Sequence, residues 1–263
     1  MAGKENGNSL IEFLRQSSNS LIREELLNYR LFYDLKITAA KHQQYLKIYK
    51  PEVDIEGCDI IIEDSRDLTR KFQLKSRVMS ATRSWRIHTS LLLPGRENSE
   101  DYGFIEVICP TYPGGFLLID VTNEPSENEH DDSDITVSYS YTDINIISLM
   151  SMGYLERRKS SKDEAVKIIK ELKSGNKTVL IKESLMLKLK SINSIFQICG
   201  FLGYHTFEYN AWQLNLIKYR YGKYRGNYKN HDLGEDNLER LEQHQKFSIK
   251  GHRDAIEELL KII

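Results

Sequence analysis

The sequence predicts an α/β protein, with a mixed central β-sheet flanked by helices and then a mainly helical C-terminal region. Three observations point there. A three- and four-residue apolar period runs through residues 20–41. Two strand-like runs, residues 59–62 and 71–78, flank a polar turn. Beyond Ser160 the composition shifts toward charged, amphipathic segments.

Taken in chain order, residues 20–41 place Ile22, Leu26, Tyr29, Tyr33 and Ile37 at helical spacing, which assigns that stripe to the face packed on the sheet. Ser20 can cap this helix, and Glu24 and Glu25 in its first turn suit the positive end of the dipole. Residues 45–49 alternate like a half-buried strand before Pro51 interrupts. Residues 59–62 (Asp-Ile-Ile-Ile) read as a strand buried on both faces. Residues 63–70 are turn-rich and residues 71–78 return, which makes a hairpin of central strands. Residues 80–93 carry Trp85, Ile87, His88, Leu91 and Leu92 and are compatible with a helix that ends before Pro94. Residues 104–109, 116–121 and 135–141 are strand candidates, residues 124–134 an acidic solvated loop, and residues 143–154 a helix. Residues 161–172 form an amphipathic helix with Ser160 or Ser161 as its cap; residues 184–199 and about 252–263 read as further helices. A soft boundary near Glu156 divides the chain into a core, residues 1–155, and a C-terminal region, residues 156–263.

Composition bounds the function without selecting it. Apolar residues make up 40% of the 263-residue chain and charged residues 29%, the balance of a globular protein rather than a disordered one. A net charge of −1 neither advertises nor forbids a polyanion partner, since a basic groove can be offset by acids elsewhere. Cys58, Cys109 and Cys199 are odd in number and form no CxxC pair, so buried thiols in a reducing compartment are the default. The polar first residues lack a signal core and no stretch is apolar enough to span a bilayer, so a soluble, cytoplasmic protein is expected.

Chemistry concentrates on the hairpin. Hydrolysis of a phosphodiester needs a hard divalent cation held by oxygen ligands, and a lysine can position water and offset charge developing on the phosphate. With the turn centred near Asp67, Asp59 falls opposite Lys75, and Gln73 and Lys75 point to one face of their strand. Leu74 points the other way into the core, which leaves its backbone carbonyl available as a ligand. Three polar groups on otherwise apolar central strands are costly unless paired or coordinated.

Gly57-Cys58-Asp59 followed by Gln73-Leu74-Lys75, after an N-terminal helix and before a Trp-bearing helix, resembles the PD-(D/E)xK nuclease superfamily over roughly residues 20–121. The superfamily includes restriction endonucleases, Holliday-junction resolvases and defence nucleases. The resemblance implies a restriction-endonuclease-like core and Mg²⁺- or Mn²⁺-dependent cleavage of DNA in restriction or phage defence. It implies Asp59 as the metal-binding acid, Gln73 where Asp or Glu usually stands, and Lys75 as the catalytic lysine. It also implies a helix carboxylate, for which Glu25 is preferred to Glu24. A neutral amide at Gln73 supplies an oxygen but no charge, which lowers metal affinity and admits a rival: a degenerate module that binds nucleic acid or a protein without cutting.

Each residue also has a plain reading. Asp59 can end a turn, Lys75 can be an edge-strand solubility charge, and Glu25 can serve the helix dipole alone. Asp54 and Glu52 are competing acids, and helical spacing would make His88 a hydrogen-bonded residue near the core. A second candidate interface is the acid-free stretch with Lys218, Arg220, Tyr221, Lys223, Tyr224, Arg225 and Lys229, where cations can meet phosphates and rings can stack on bases. Its plain reading is an amphipathic surface segment. A homodimer is compatible with cutting two strands. GxSxG, HExxH and P-loop patterns are absent.

Overall fold

The computed structural model describes residues 10–52, 57–66, 68–92, 114–123, 135–153, 155, 158 and 160–203. Its frame is a six-stranded mixed sheet with strand order β1-β2-β3-β5-β6-β8 and a two-stranded sheet of β4 and β7. The strands are β1 (Leu46–Tyr49), β2 (Ile60–Asp64), β3 (Thr69–Val78), β4 (Ser84–His88), β5 (Gly115–Thr122), β6 (Thr136–Asp143), β7 (Thr178–Lys182) and β8 (Leu187–Lys188). The helices are α1 (Leu10–Arg15), α2 (Ser20–Lys41), α3 (Ile144–Met152), α4 (Ser161–Lys173) and α5 (Asn193–Cys199). The α/β class and the mixed sheet follow the expectation. Strands from either side of residue 156 share sheets, because β7 pairs with β4 and β8 with β6.

The central meander forms as the β-branched runs demand. β2 is antiparallel to both β1 and β3, and β3 then runs parallel to β5. Asp64 sets the β2–β3 turn: its Oδ1 accepts the N–H groups of Arg66 and Leu68 at 2.9 and 3.0 Å. Pairing fixes which residues share a face. Leu74, Leu117, Ile119, Tyr139 and Tyr141 lie on one side, and Gln73, Lys75, Arg77, Phe116 and Asp120 on the other. Helix α2 covers the first side, where the Tyr139 hydroxyl donates to Asp34 at 2.7 Å. The small sheet meets the second side, with the Trp85 ring 5.8 Å from that of Phe116.

Four expectations are corrected. Helix α2 buries Leu27, Asn28, Leu31, Leu35 and Ala39, while Ile22, Leu26, Tyr29, Tyr33 and Ile37 stay exposed. Both stripes have helical spacing, and period alone does not say which faces in. The branched and small Leu/Ala stripe packs against the sheet, whereas Tyr29 spends its hydroxyl on Glu25 and lies under the Lys50 ammonium. Ser20 is the first helical residue rather than the cap, which is Asn19 at the end of a 3-10 turn. Of the expected helix at residues 80–93, the described residues 80–92 do not form one. Trp85 and Ile87 alternate inward from β4, and a 3-10 turn, Thr89–Leu91, follows. Its partner β7 supplies the period-two context that decides between the readings. Residues 184–199 likewise split into the end of a 3-10 turn, β8 and α5.

The helices at residues 143–154 and 161–172 form as α3 and α4. Asp143 caps α3 by accepting the Ile146 N–H at 2.9 Å, and Asp163 and Glu164 occupy the first turn of α4. The expected segments at residues 104–109, 124–134 and 252–263 lie outside the described residues.

A buried polar knot locks the hairpin to α5. Asp64 is only 1% exposed, and its second oxygen accepts the Leu202 N–H at 2.8 Å, which steadies a residue at φ +58°. Buried Arg70 donates to the Cys199 carbonyl, at the C-terminal end of α5, at 3.2 and 2.7 Å. Its positive charge suits that end of the helix dipole. Burial pushes the Cys199 thiol up to about 12, so it is a thiol at neutral pH.

Two tests follow from this core. Asp64→Ala strands three backbone donors and should lower unfolding free energy by about 2–4 kcal/mol in urea titration. Burial, then the Asp34 charge, raises the Tyr139 pKa, and burial, then Asp143, raises that of Tyr141. Unfolded tyrosines deprotonate around pH 10 while these stay protonated, so their contribution is present below about pH 10 and lost above it. Thermal melts from about pH 9 to about pH 11 should fall less steeply for Tyr139→Phe than for the parent.

Candidate functional site on the central hairpin

Asp59, Gln73 and Lys75 come together on the face opposite α2. The observed pairs Ile60–Phe72 and Ile61–Lys71, extended by one residue, set Asp59 opposite Gln73 rather than Lys75. The two registers differ by two residues, so the shared face survives the shift. Half-buried Asp59 sits immediately before β2 begins. Its N–H donates to the Phe72 carbonyl at 2.9 Å, and its carboxylate accepts the Leu74 N–H at 2.6 Å. The side chain thereby takes the acceptor position that a further strand residue would have filled, a charge-assisted bond at the close of the ladder.

Gln73 is buried, and its Oε1 accepts the His88 main-chain N–H at 3.0 Å. Gly57 makes this possible. It sits at φ +67°, and a Cβ there would lie 2.8 Å from the His88 Cβ and 3.0 Å from Gln73 Nε2. Lys75 is half-buried on β3 and is paired there with Leu118 of β5. Among the described residues its ammonium makes no ion pair or hydrogen bond. Leu74 turns its side chain into the core on the α2 side, as expected, with its main chain at the β2 edge.

Glu25 does not join them. It is exposed on the outward stripe of α2, accepts the Tyr29 hydroxyl at 2.8 Å, and its helix covers the opposite face of the sheet. The preference for Glu25 rested on Ile22, Tyr29 and Tyr33 facing inward, and they face out. Glu52 is exposed, and Asp54 lies outside the described residues. His88 is a strand residue on the same side as Arg86, and its Nδ1 pairs with the Ser90 hydroxyl at 2.7 Å. Lys218, Arg220, Tyr221, Lys223, Tyr224, Arg225 and Lys229 are outside the described residues.

A cation at the hairpin would find hard oxygen donors in the Asp59 carboxylate, the second lone pair of the Gln73 amide and the Leu74 carbonyl. That set suits Mg²⁺, which keeps several waters and asks for one or two carboxylates. With one formal charge it is a weak set, and no group of three or more His, Cys, Asp or Glu side chains that could hold a metal occurs among the described residues.

Sequence reasoning missed the continuation of this face. Arg77, two residues beyond Lys75, donates to both oxygens of Asp120 and to Glu183, and its guanidinium lies 5.7 Å from the Trp85 ring centre. The signal was present in the Gln73-x-Lys75-x-Arg77 alternation and in Asp120 as the lone acid of an apolar run. Comparison with known protein families, curated proteins and solved structures finds no match.

Gly57→Ala combines a left-handed backbone with a clash against two residues of the site. It should cost about 1–3 kcal/mol in chemical denaturation, with a local shift of the His88 amide resonance that a remote destabilising change would not produce.

Proposed function

We propose that the protein is a Mg²⁺- or Mn²⁺-dependent endonuclease of the PD-(D/E)xK kind, acting on DNA phosphodiester bonds in restriction or phage defence. The observation that carries this reading is the shared face of Asp59, Gln73 and Lys75 on an interior hairpin, with a lysine there that no acid among the described residues neutralises. An ammonium half-removed from water is most favourable when an anion such as a phosphate approaches it. In this reading Asp59, Gln73 and the Leu74 carbonyl would hold the cation. When bound, it supplies Lewis-acid stabilisation and a more acidic water. Lys75 orients the attacking water and offsets charge on the phosphoryl oxygens. Restriction-endonuclease-like architecture, DNA as substrate and a dimer that cuts both strands belong to the same proposal.

A second reading has its own support. The Gln73 oxygen already serves the His88 N–H, and the donor set carries a single carboxylate. Both features suit a degenerate module that grips nucleic acid without cutting it.

Purified protein incubated with circular and linear DNA in Mg²⁺ or Mn²⁺ separates the two. The expected result is cleavage abolished by EDTA and lowered roughly 10²-fold or more by Asp59→Asn and by Lys75→Met. Asparagine keeps an oxygen for the Leu74 N–H, so loss of activity there is not loss of fold. DNA binding with no cleavage in either metal would establish the binding module instead.

A further inference from the structure

Beyond Phe72 the β2 side of β3 has no strand partner among the described residues, because β2 begins at Ile60 while β3 continues along β5 to Val78. This open edge leads to a cavity of about 480 Å³, with Arg15, Arg23 and Arg77 among its lining residues together with the hydroxyls of Ser76, Ser80 and Thr82. No acid is among the described residues that line it. That size falls within the range of small-ligand sites.

The three cations are held differently, and the difference matters. Arg77 is fixed from behind by Asp120 and Glu183, so it is a positioned donor whose charge is largely offset. Arg23 uses one N–H group on the Leu14 carbonyl at 2.7 Å, which ties α2 to α1 and leaves its other donors to the cavity. Arg15 makes no ion pair or hydrogen bond among the described residues. Two guanidinium charges therefore converge without an acid between them, on a wall that also offers hydroxyl donors. The wall itself is shaped: Met79 sits at φ +43° with its N–H on the Val121 carbonyl at 3.0 Å, and Ser80 and Thr82 hydroxyls are 2.9 Å apart. A non-glycine residue in that conformation is strained, and such strain persists where surrounding contacts enforce it.

We infer that this cavity is a binding site for a phosphoryl group, with Arg15 and Arg23 as the charge-bearing contacts and Ser76, Ser80 and Thr82 as hydrogen-bond donors. Arginine suits it, since its planar fork matches phosphate oxygens and stays charged. The phosphoryl can arrive on a free nucleotide or on a polynucleotide strand. Arg77 and Lys75 share one face of β3, two residues apart, so on the nuclease reading the cavity would hold one phosphate of a strand while the hairpin faces another. Phosphoryl binding itself needs neither metal nor cleavage.

Trp85 lines the cavity, so its emission reports occupancy once Trp212 is replaced by Phe. The full chain is titrated in EDTA with inorganic phosphate, a 5′-mononucleotide, and short oligonucleotides with 5′-phosphate or 5′-hydroxyl ends. Saturable change with phosphate-bearing probes, weakened roughly tenfold or more by Arg15→Glu and by Arg23→Gln with unchanged circular dichroism, is expected. A response to the mononucleotide but to neither oligonucleotide assigns a free nucleotide; a response to the oligonucleotides assigns a strand. No saturable response to any probe, or one unaltered in Arg15→Glu, overturns the site. An intact response in a protein that cuts no DNA would retain it and reject the nuclease reading alone.

Discussion

The structure depends on how β3 is paired. Its first residues, Thr69 to Phe72, are antiparallel to β2, and its last, Phe72 to Val78, are parallel to β5. Among the described residues, only Phe72 has a strand on both sides. A backbone N–H left unpaired at that junction would cost about 1–3 kcal/mol. The Asp59 carboxylate removes the problem for Leu74 by standing in for a carbonyl. That one bond holds the carboxylate against β3 between Gln73 and Lys75 in the chain, where β2 gives way to the edge along which the arginine-lined cavity opens.

What was legible in the sequence follows from how local each signal is. The hairpin, the common face of Asp59, Gln73 and Lys75, and the inward turn of Leu74 depend only on strand alternation, and a register shift of two residues left them intact. The inward face of α2 was not legible. Its stripe of Ile22, Tyr29 and Tyr33 and its stripe of Leu27, Leu31 and Leu35 have the same period, and only the sheet selects between them. The choice of Glu25 failed with that stripe. Trp85, Ile87, Leu91 and Leu92 satisfy either period over so short a span, and β4 is a strand because β7, nearly a hundred residues on, lies beside it. The cavity was the least legible, because Arg15, Arg23 and Arg77 meet only once α1, α2 and β3 are assembled.

The same assembly shows why charge can be kept inside this core. Asp64 accepts three backbone donors and Arg70 meets a helix C-terminus, so each buried charge is satisfied by main-chain groups rather than by the other. Removing either partner of a direct buried pair strands a charge. Here each charge instead holds a turn or a helix end in place, which gives the hairpin a fixed geometry relative to α5. A site that must hold oxygens within a few tenths of an ångström benefits from such a base.

Gln73 is the residue on which the proposed chemistry turns, and its surroundings explain why an amide occupies the place. Its oxygen must serve the His88 N–H while its nitrogen lies against Gly57 in a space too tight for a Cβ. A glutamate would keep the acceptor and lose the donor. It would also set a second carboxylate opposite Asp59, and like charges at that spacing raise one another's pKa unless a cation lies between them. The amide is thus the more stable occupant of the metal-free protein, while a glutamate gains from a bound metal. The chain has settled that competition toward the stable hairpin, and any cation there must be held chiefly by Asp59 and by the phosphate it meets.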